Sequence, residues 1–271
     1  MEGGSHPARR REPWWPPSPP ELKQMVKAYL TVDVTTNHAD VLLLSCCFIS
    51  GMVDSTIYHA YGTFVSMQTG NTLFLGLGGA RPHNTTHPYG WVKSLTSIFG
   101  FCLGCSLFSR VSRILGPLRR GTLLLSFLVQ ASMIILTAAI FETGVVNGIL
   151  DRIKDDIDWR SEIPIALLSF QSSGQIVASR TLRLAEIPTF MLTVIMHDLS
   201  TDPKIMSPLQ ENVKRNRRLF ALLGILVGAI VSSFISQATG RIQDPLWFAG
   251  AIKVVITLAW MTWPIKKVSA A

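Results

Sequence analysis

The chain has 271 residues, a formal net charge of +8 and only 15% charged residues. Soluble domains carry about 25% charged residues, whereas here the charges fall between apolar stretches long enough to cross the ~30 Å hydrocarbon core of a bilayer. This distribution excludes a soluble enzyme domain, a disordered chain and a disulfide-stapled secreted module. It predicts an all-α fold, a polytopic membrane helical bundle whose first partner is the lipid bilayer.

The positive charge and the cysteines have plain explanations in such a protein. Lys and Arg concentrate in the cytosolic loops of membrane proteins, so we expect no nucleic-acid partner. All four Cys fall inside apolar stretches, where Cys acts as a small hydrophobic residue. Cys102 and Cys105 form one C-x-x-C pair without a second pair or a His at ligand spacing, so we predict neither a metal nor another cofactor.

The first 38 residues are a polar tail that precedes the apolar segments. Residues 1–20 contain three consecutive arginines and a run of prolines, which predicts a disordered, polyproline-II-biased cytosolic arm. Its P-x-x-P patterns leave an SH3 or WW partner open beside a plain solvated tail. A short interfacial helix should follow, because four apolar residues recur at i, i+3, i+4 and i+7. These are Leu22, Met25, Val26 and Tyr29.

Eight apolar segments follow the tail, in two groups of four on either side of a polar acidic loop at 143–162. The second segment of each group is short and contains or adjoins polar residues. Such segments occur at membrane depth only where they are buried in protein or line a wet cavity. The eight segments are predicted near 40–60, 64–80, 93–110, 121–141, 163–179, 187–196, 219–240 and 245–265.

Comparison of the chain with itself at an offset of 124 residues indicates an internal duplication, with fourteen identities over positions 43–116 and no gap. The glycines that fall in register are Gly100 with Gly224, Gly104 with Gly228, and Gly116 with Gly240. We therefore predict a first membrane repeat at 39–142, a second at 163–265 and a C-terminal tail at 266–271.

Two pairs of glycines in these repeats form small-x-x-x-small faces, Gly100 to Gly104 and Gly224 to Gly228. In lipid, such faces allow helix backbones to approach closely. We expect them to pack the third and seventh segments, and packing of these two segments against each other is one open arrangement.

Two topologies fit the segment lengths: about six spans plus two short broken or re-entrant segments, or eight spans. The total number of basic residues on each side does not discriminate between them. The six-span topology places the basic loop at 110–120 inside and the acidic loop outside, as the positive-inside rule favours. It predicts inverted halves, cytosolic termini and an exterior sequon at Asn84, where glycosylation would support it. The particular membrane stays open.

Two motifs give the chain a family resemblance. Gly51-Met-Val-Asp54 is followed by Phe64-Val-Ser-Met-Gln-Thr-Gly-Asn71-Thr. This pattern is similar to the signature of the YoaK-like family of multipass membrane proteins, a family defined by a domain of unknown function. The resemblance covers residues 40–265 and implies a six-span fold, and it implies almost no chemistry.

The polar residues in and near the short segments are the candidate site. Paired broken segments at equivalent places in two halves point to a transporter's binding site, and half-helix ends offer free N–H or C=O groups and a dipole to a solute. The alternative is that these residues only satisfy the backbone of a broken helix. The predicted substrate-binding residues are Asp54, Gln68, Thr69, Gly70, Asn71, Gln171, Gln175, Arg180 and Thr193.

Asp54 is central to this prediction, because an ionisable residue inside a membrane segment marks a pathway by default. Position 54 aligns with Ala178, two residues before Arg180. One hypothesis is therefore an Asp54–Arg180 pair at the junction of the two halves. The alternative to a pathway role is that Asp54 only caps the re-entrant turn or pairs with a basic residue.

Three further ionisable residues are expected to be structural. Lys253 lies inside the last segment and is expected to extend its ammonium group to the interface, with a counter-ion role as the alternative. Arg183 and Glu186 are three residues apart and predict a local ion pair.

We predict a secondary transporter or permease for a small solute or ion, with a polar site between the two repeats. The alternative is a non-transporting scaffold or assembly protein that recruits partners through its basic, Pro-rich tail. The chain has no catalytic motif of the common hydrolase, metalloprotease or P-loop types, so we expect no enzyme activity. Assembly into a homo-oligomer is compatible with all of these readings.

Overall fold

The structure is a computed structural model that describes residues 18–80, 90–149, 158–184, 186–187 and 192–266. Within these ranges the chain forms nine α-helices and a short 3-10 turn at Trp159–Ser161. The helices are α1 (Pro19–Thr31), α2 (Ala39–Tyr61), α3 (Gln68–Ala80), α4 (Gly90–Leu115), α5 (Arg120–Glu142), α6 (Glu162–Thr181), α7 (Leu192–Ser200), α8 (Val213–Thr239) and α9 (Gln243–Thr262). The arm at 1–17, the Asn84 sequon, residues 150–157 of the acidic loop and the chain end at 267–271 lie outside the described residues.

Five of these helices are long and apolar enough to cross a membrane, namely α2, α4, α5, α8 and α9. Helix α6 has 20 residues, which correspond to about 30 Å, and it is rich in polar side chains. Helices α3 and α7 have 13 and 9 residues, or about 20 Å and 14 Å, too short to span. The all-helical prediction is confirmed, and the chain is a multipass membrane protein.

One end of the bundle, here called the terminal end, gathers the residues next to the chain termini. Asp33 forms a backbone bridge with Arg119, and Val34 forms one with Ile265. The Arg120 guanidinium donates a 2.7 Å hydrogen bond to the carbonyl of Trp263. The start of α2, the α4–α5 loop and the end of α9 therefore meet at the terminal end.

The other end of the bundle, here called the opposite end, gathers the far ends of the same helices. Ile149 forms a backbone bridge with Arg241, and Arg241 pairs with Glu142 at 2.6 Å. The Tyr61 hydroxyl donates to the carbonyl of Asn147 at 3.4 Å. The ends of α2, α5 and α8 therefore meet at the opposite end.

Helix α6 also connects the two ends, as contacts at each of its termini show. Arg160, just before α6, donates to the carbonyl of Val145 at the opposite end. Glu186, just after α6, pairs with Arg217 at 2.8 Å, and Arg217 also pairs with Asp40 at the start of α2. The expected Arg183–Glu186 pair is therefore wrong, because Glu186 is held by an arginine from another helix.

The glycine faces pack helices from different halves of the chain. A Cβ at Gly104 would overlap Ser173 of α6, and a Cβ at Gly228 would overlap the carbonyl oxygen of Phe48 in α2. Helix α4 therefore packs on α6, and α8 packs on α2. The two glycine-bearing helices do not face each other, so the open arrangement in which they do is wrong.

Each short helix lies, in chain order, between two long helices. The preceding long helix ends, and the following one begins, at the same end of the bundle. Helix α3 follows α2 and precedes α4, and its Asn71 reaches Ser97, two turns into α4, at 2.9 Å. Further along α3, Gly78 packs against Trp91 near the start of α4. The stretch 62–67 therefore runs inward and α3 returns toward the opposite end. Helix α7 lies between α6 and α8 and packs on α8.

Candidate functional site

The inward stretch before α3 is held by the carboxylate of Asp54. This side chain is 2% exposed, and its Oδ1 accepts hydrogen bonds from the backbone N–H groups of Val65 and Ser66 at 2.8 and 3.0 Å. Its Oδ2 accepts from the Ser66 hydroxyl. Unpaired N–H groups are costly away from water, so Asp54 supplies the partners that the irregular backbone lacks.

Asn71 closes the other side of the same stretch. Its Nδ2 donates to the carbonyl of Phe64 at 2.7 Å, and its Oδ1 accepts from the Phe64 N–H at 2.9 Å. The Thr63 hydroxyl donates to the same Oδ1 at 2.9 Å. Because this amide mimics a backbone partner on both sides, it fixes the turn that leads into α3.

Serines on α4 and α6 complete the cluster. The Ser97 hydroxyl donates to the carbonyl of Phe64 at 2.7 Å and lies 2.8 Å from the Ser169 hydroxyl. The Ser172 hydroxyl donates to the carbonyl of Val65 at 2.9 Å. Ser97 and Ser169 were not predicted as site residues, because serines in apolar helices are common and only their contacts distinguish them.

Gln68 joins the cluster from the first turn of α3. Its Nε2 donates to the carbonyl of Val65 at 3.0 Å and to the Ser97 hydroxyl at 3.2 Å. Gly70 packs beneath the Phe64 ring, where a Cβ would lie 3.0 Å from two ring atoms. Every polar group named so far in this cluster therefore has a partner, which makes the cluster a structural latch on the inward stretch.

A second group of polar side chains, on α5 and α6, is buried but incompletely paired. Within the described part of the chain, Oε1 of Gln171, Nε2 of Gln175 and Oε1 of Gln130 have no hydrogen-bond partner. A Cβ at Gly174 would lie 2.7 Å from the Gln130 amide nitrogen, so Gln130 contacts the same turn of α6. Ser50 of α2 reaches Gln175 at 3.4 Å. We call the side chains of Gln130, Gln171 and Gln175 the glutamine group.

Lys253 is fully buried in the middle of α9. Its ammonium lies 3.6 Å from the sulfur of Cys46 and 5.3 Å from the centre of the Phe127 ring. The expectation that Lys253 extends to the interface is therefore wrong. It packs between α2 and α5 with a thiol and an aromatic face as neighbours.

A cavity of about 650 Å³ opens near the opposite end, between α2, α3, α4 and α8. The rings of Tyr58, Phe64 and Phe74 form one wall, with the Tyr58 and Phe64 centroids 4.5 Å apart. The lining also includes two polar residues of α8, Ser233 and Gln237. Because Phe64 belongs to both, the cavity borders the latch.

The described residues contain no group of three or more His, Cys, Asp or Glu placed to hold a metal ion. A family model described as a protein of unknown function, DUF1275, matches residues 42–259. The chain belongs to the DUF1275 family. No curated protein and no solved structure matches the chain.

The DUF1275 match runs from α2 to α9 and contains the latch and the glutamine group. It covers the residues through which the YoaK-like resemblance was drawn. The DUF1275 description names no substrate and no reaction, so the function of this DUF1275 protein has to be argued from its side chains.

Three of the predicted site residues of this DUF1275 protein lie apart from the buried cluster. Thr69 is exposed on the outer side of α3, Thr193 is exposed on α7, and Arg180 is exposed at the end of α6. The predicted Asp54–Arg180 pair is wrong, because Asp54 is bonded to the backbone and hydroxyl of 65–66 while Arg180 lines a surface cavity at the terminal end.

Proposed function

We propose that this DUF1275 protein is a secondary transporter or permease for a small polar solute or ion. The observation that carries the proposal is the glutamine group, three buried amides with unpaired polar atoms where α2, α5 and α6 meet. A buried polar atom without a partner costs about 1–3 kcal/mol. A polar solute bound among these three amides would supply the missing partners. The proposal contains no catalytic step.

The proposal includes two inverted copies of one helical unit. Helix α4 packs on α6 as α8 packs on α2, α3 packs on α4 as α7 packs on α8, and α5 packs on α6 as α9 packs on α2. Each of these three contacts thus has a counterpart at the offset of 124 residues found in the sequence. Alternating access is then a rocking of one half against the other around a site near the midplane.

The proposal also includes six spans with α3 and α7 as re-entrant helices and the terminal end in the cytosol. Among the described residues, the basic side chains of the α4–α5 loop and of the start of α8 belong to the terminal end. Lys93, Arg160 and Arg241 belong to the opposite end. The positive-inside rule therefore favours a cytosolic terminal end.

Cysteine labelling tests this orientation in sealed, right-side-out cells. Arg160 is exposed at the opposite end. In a Cys102→Ser background, we therefore expect a membrane-impermeant maleimide added outside the cells to label Arg160→Cys. Lys204→Cys, in the exposed loop before α8, should be labelled only after permeabilisation. The reverse pattern would contradict the orientation. Glycosylation at Asn84 would be an independent confirmation.

Transport itself is tested by replacing Gln171 with leucine in reconstituted liposomes. The rate of osmotic reswelling is followed by light scattering with glycerol, urea, glycine, potassium chloride and potassium phosphate as solutes. We expect the wild type to admit at least one of them faster than empty liposomes, and Gln171→Leu to abolish the difference. The thermal midpoint should stay unchanged or rise, because leucine removes an unpaired buried polar atom.

Two controls make the transport result specific. Gln210→Leu changes the same side chain at an exposed loop position and should leave reswelling unchanged. Deletion of residues 1–17 should also leave it unchanged, whereas a tail-dependent scaffold would lose its partners. The deletion stops before α1 because Leu30 packs on Gly121 and Arg120 lies 4.2 Å from the centre of the Tyr29 ring. Reswelling that is equal to empty liposomes for all five solutes, or unaffected by Gln171→Leu, would contradict transport.

A further inference from the structure

Two adjoining cavities lie between α4 and α6 at the terminal end, away from the latch and the glutamine group. The first, of about 590 Å³, is open and is lined by Arg113, Arg180 and several hydroxyl side chains. The second, of about 190 Å³, is an apolar slot that also borders α5. Ser112, Val177 and Thr181 line both cavities. The two cavities therefore adjoin along one surface of the bundle.

The open cavity has the chemistry of an anion site. Arg113 and Arg180 are exposed, and the Arg113 Nε bonds only to the carbonyl of Ser109 in its own helix, at 3.2 Å. The ion pairs found among the described residues involve other arginines. No carboxylate is among the described residues that line either cavity. Two arginines line this cavity together with Ser109, Ser112 and Thr181, a set of donors that suits a phosphate group.

The apolar slot continues from this basic cavity toward the middle of the bundle. Arg113 and Arg180 lie in the last turns of α4 and α6, at the terminal end. Slot residues Leu107, Val129 and Phe170 lie two to three turns further from that end. The polar part of the surface is thus at headgroup depth and the apolar part at acyl-chain depth, the order found in one phospholipid molecule of a leaflet.

The corresponding cavity at the opposite end provides an internal comparison. It lies between α2 and α8, and there the positions aligned with Ser109 and Arg113 are Ser233 and Gln237. Its lining includes His59 and no described Arg or Lys. Of these two cavities, only the one at the terminal end has arginines among its described lining residues, so this charge is not a consequence of how the helices pack.

We infer that the two cavities at the terminal end bind one anionic glycerophospholipid, with its phosphate between Arg113 and Arg180 and an acyl chain in the slot. Basic pockets between transmembrane helices on the cytoplasmic side are known to hold anionic lipid headgroups. The charge of the open cavity, its hydroxyl donors and the adjoining apolar slot all favour a lipid over a soluble anion. This inference does not depend on whether the protein transports a solute.

Native mass spectrometry of the purified full chain tests the inference, with phosphatidylglycerol, phosphatidylcholine, inorganic phosphate and glycerophosphoglycerol as separate probes. We expect phosphatidylglycerol to bind about tenfold more tightly than phosphatidylcholine, since each arginine near a headgroup adds attraction. Arg113→Gln/Arg180→Gln should remove this preference. Arg110→Gln, an exposed arginine of the same helix outside the lining, should keep it.

The remaining measurements distinguish a lipid phosphate from the phosphate of a soluble ligand. Val129→Phe fills the slot without changing charge and should weaken phosphatidylglycerol binding, while the thermal midpoint measured without lipid shows whether each variant is folded. Neither inorganic phosphate nor glycerophosphoglycerol should bind measurably. Equal binding of a soluble probe and the lipid, or a preference for phosphatidylglycerol that survives the double arginine change, would overturn the inference.

Discussion

Asp54→Ala should lower the free energy of unfolding by about 3–5 kcal/mol, the largest effect expected for a single polar side chain of this protein. Asp54 accepts three hydrogen bonds in a buried site, two from the backbone of Val65 and Ser66 and one from the Ser66 hydroxyl. Alanine leaves all three donors without a partner. The inward stretch at 62–67 then loses its attachment to α2, and α3 detaches from α4.

Asp54→Asn should be much milder, which separates the latch from a charge-dependent pathway. The asparagine oxygen can still accept from both N–H groups, and the Ser66 hydroxyl can turn to accept from the new amide. We expect a loss of about 1 kcal/mol, since the remaining hydrogen bonds are no longer made to a carboxylate. Asp33→Ala, at an exposed position whose backbone alone is paired, is the matched control.

The measurement uses the protein's own buried thiols. Cys46 and Cys47 are buried in α2, so a thiol-reactive fluorophore reports the temperature at which this helix becomes accessible. In a Cys102→Ser, Cys105→Ser background, we expect Asp54→Ala to lower the midpoint by roughly 6–20 °C, from 2–4 °C per kcal/mol for a chain of this size. A midpoint of Asp54→Ala within one degree of that of Asp33→Ala would refute the latch.

The long helices were predictable from sequence, but their ends were not. The predicted seventh segment begins at residue 219, whereas α8 begins at Val213, where the Asn212 side chain accepts from the N–H of Arg215 at 3.0 Å. Hydropathy detects only the part of a helix inside the hydrocarbon. Backbone hydrogen bonds continue through the basic turn outside it, so the structural helix is longer than the apolar segment.

The sequence predicted the role of Asp54 only in part. The Gly-x-x-Asp and T-G-N motifs marked the right region, and capping of the re-entrant turn was one of the two hypotheses. The competing Asp54–Arg180 pair was wrong because it looked for a side-chain partner of opposite charge, while the actual donors are N–H groups of Val65 and Ser66. Backbone donors have no residue type, so no pattern of residue types can point to them.

The surroundings of Lys253 and of the glutamine group also could not be predicted from residue types alone. A lysine inside an apolar segment is expected to reach the interface, but Lys253 lies too far from either end of α9 and is enclosed by Cys46 and Phe127. Gln130 did not stand out, because a single amide in a long apolar segment is unremarkable. Only the packing of α5 on α6 brings it to Gly174.

Gly228→Ala should lower the free energy of unfolding by about 3 kcal/mol, the upper end of the usual range for an overfilled, well-packed contact. A Cβ at this position would overlap the carbonyl oxygen of Phe48 and lie 2.9 Å from its carbonyl carbon. Since the obstacle is backbone, no rotamer change can relieve it, and α8 must move away from α2. The thiol-reactive melt of α2 reports this separation directly.

The neighbouring glycine of the same face gives the sharpest control. At Gly224 a Cβ would meet its nearest neighbours at 3.5 Å, an ordinary van der Waals distance, so Gly224→Ala should be tolerated within about 0.5 kcal/mol. Gly76, with nothing within 4 Å, should accept alanine and gain roughly 0.5–1 kcal/mol from helix propensity. Equal losses for Gly224→Ala and Gly228→Ala would contradict the close approach at Gly228.

The same experiment in the first half tests the proposed duplication. Gly104 occupies the position aligned with Gly228, and its Cβ would overlap Ser173 and lie 2.7 Å from the carbonyl oxygen of Phe170. If the halves are inverted copies, Gly104→Ala should separate α4 from α6 with a loss close to that of Gly228→Ala, and Gly100→Ala should cost less. If Gly104→Ala is stable, the two glycine faces differ in how closely they pack their helices. The aligned glycines would then reflect helix composition and not a shared packing unit.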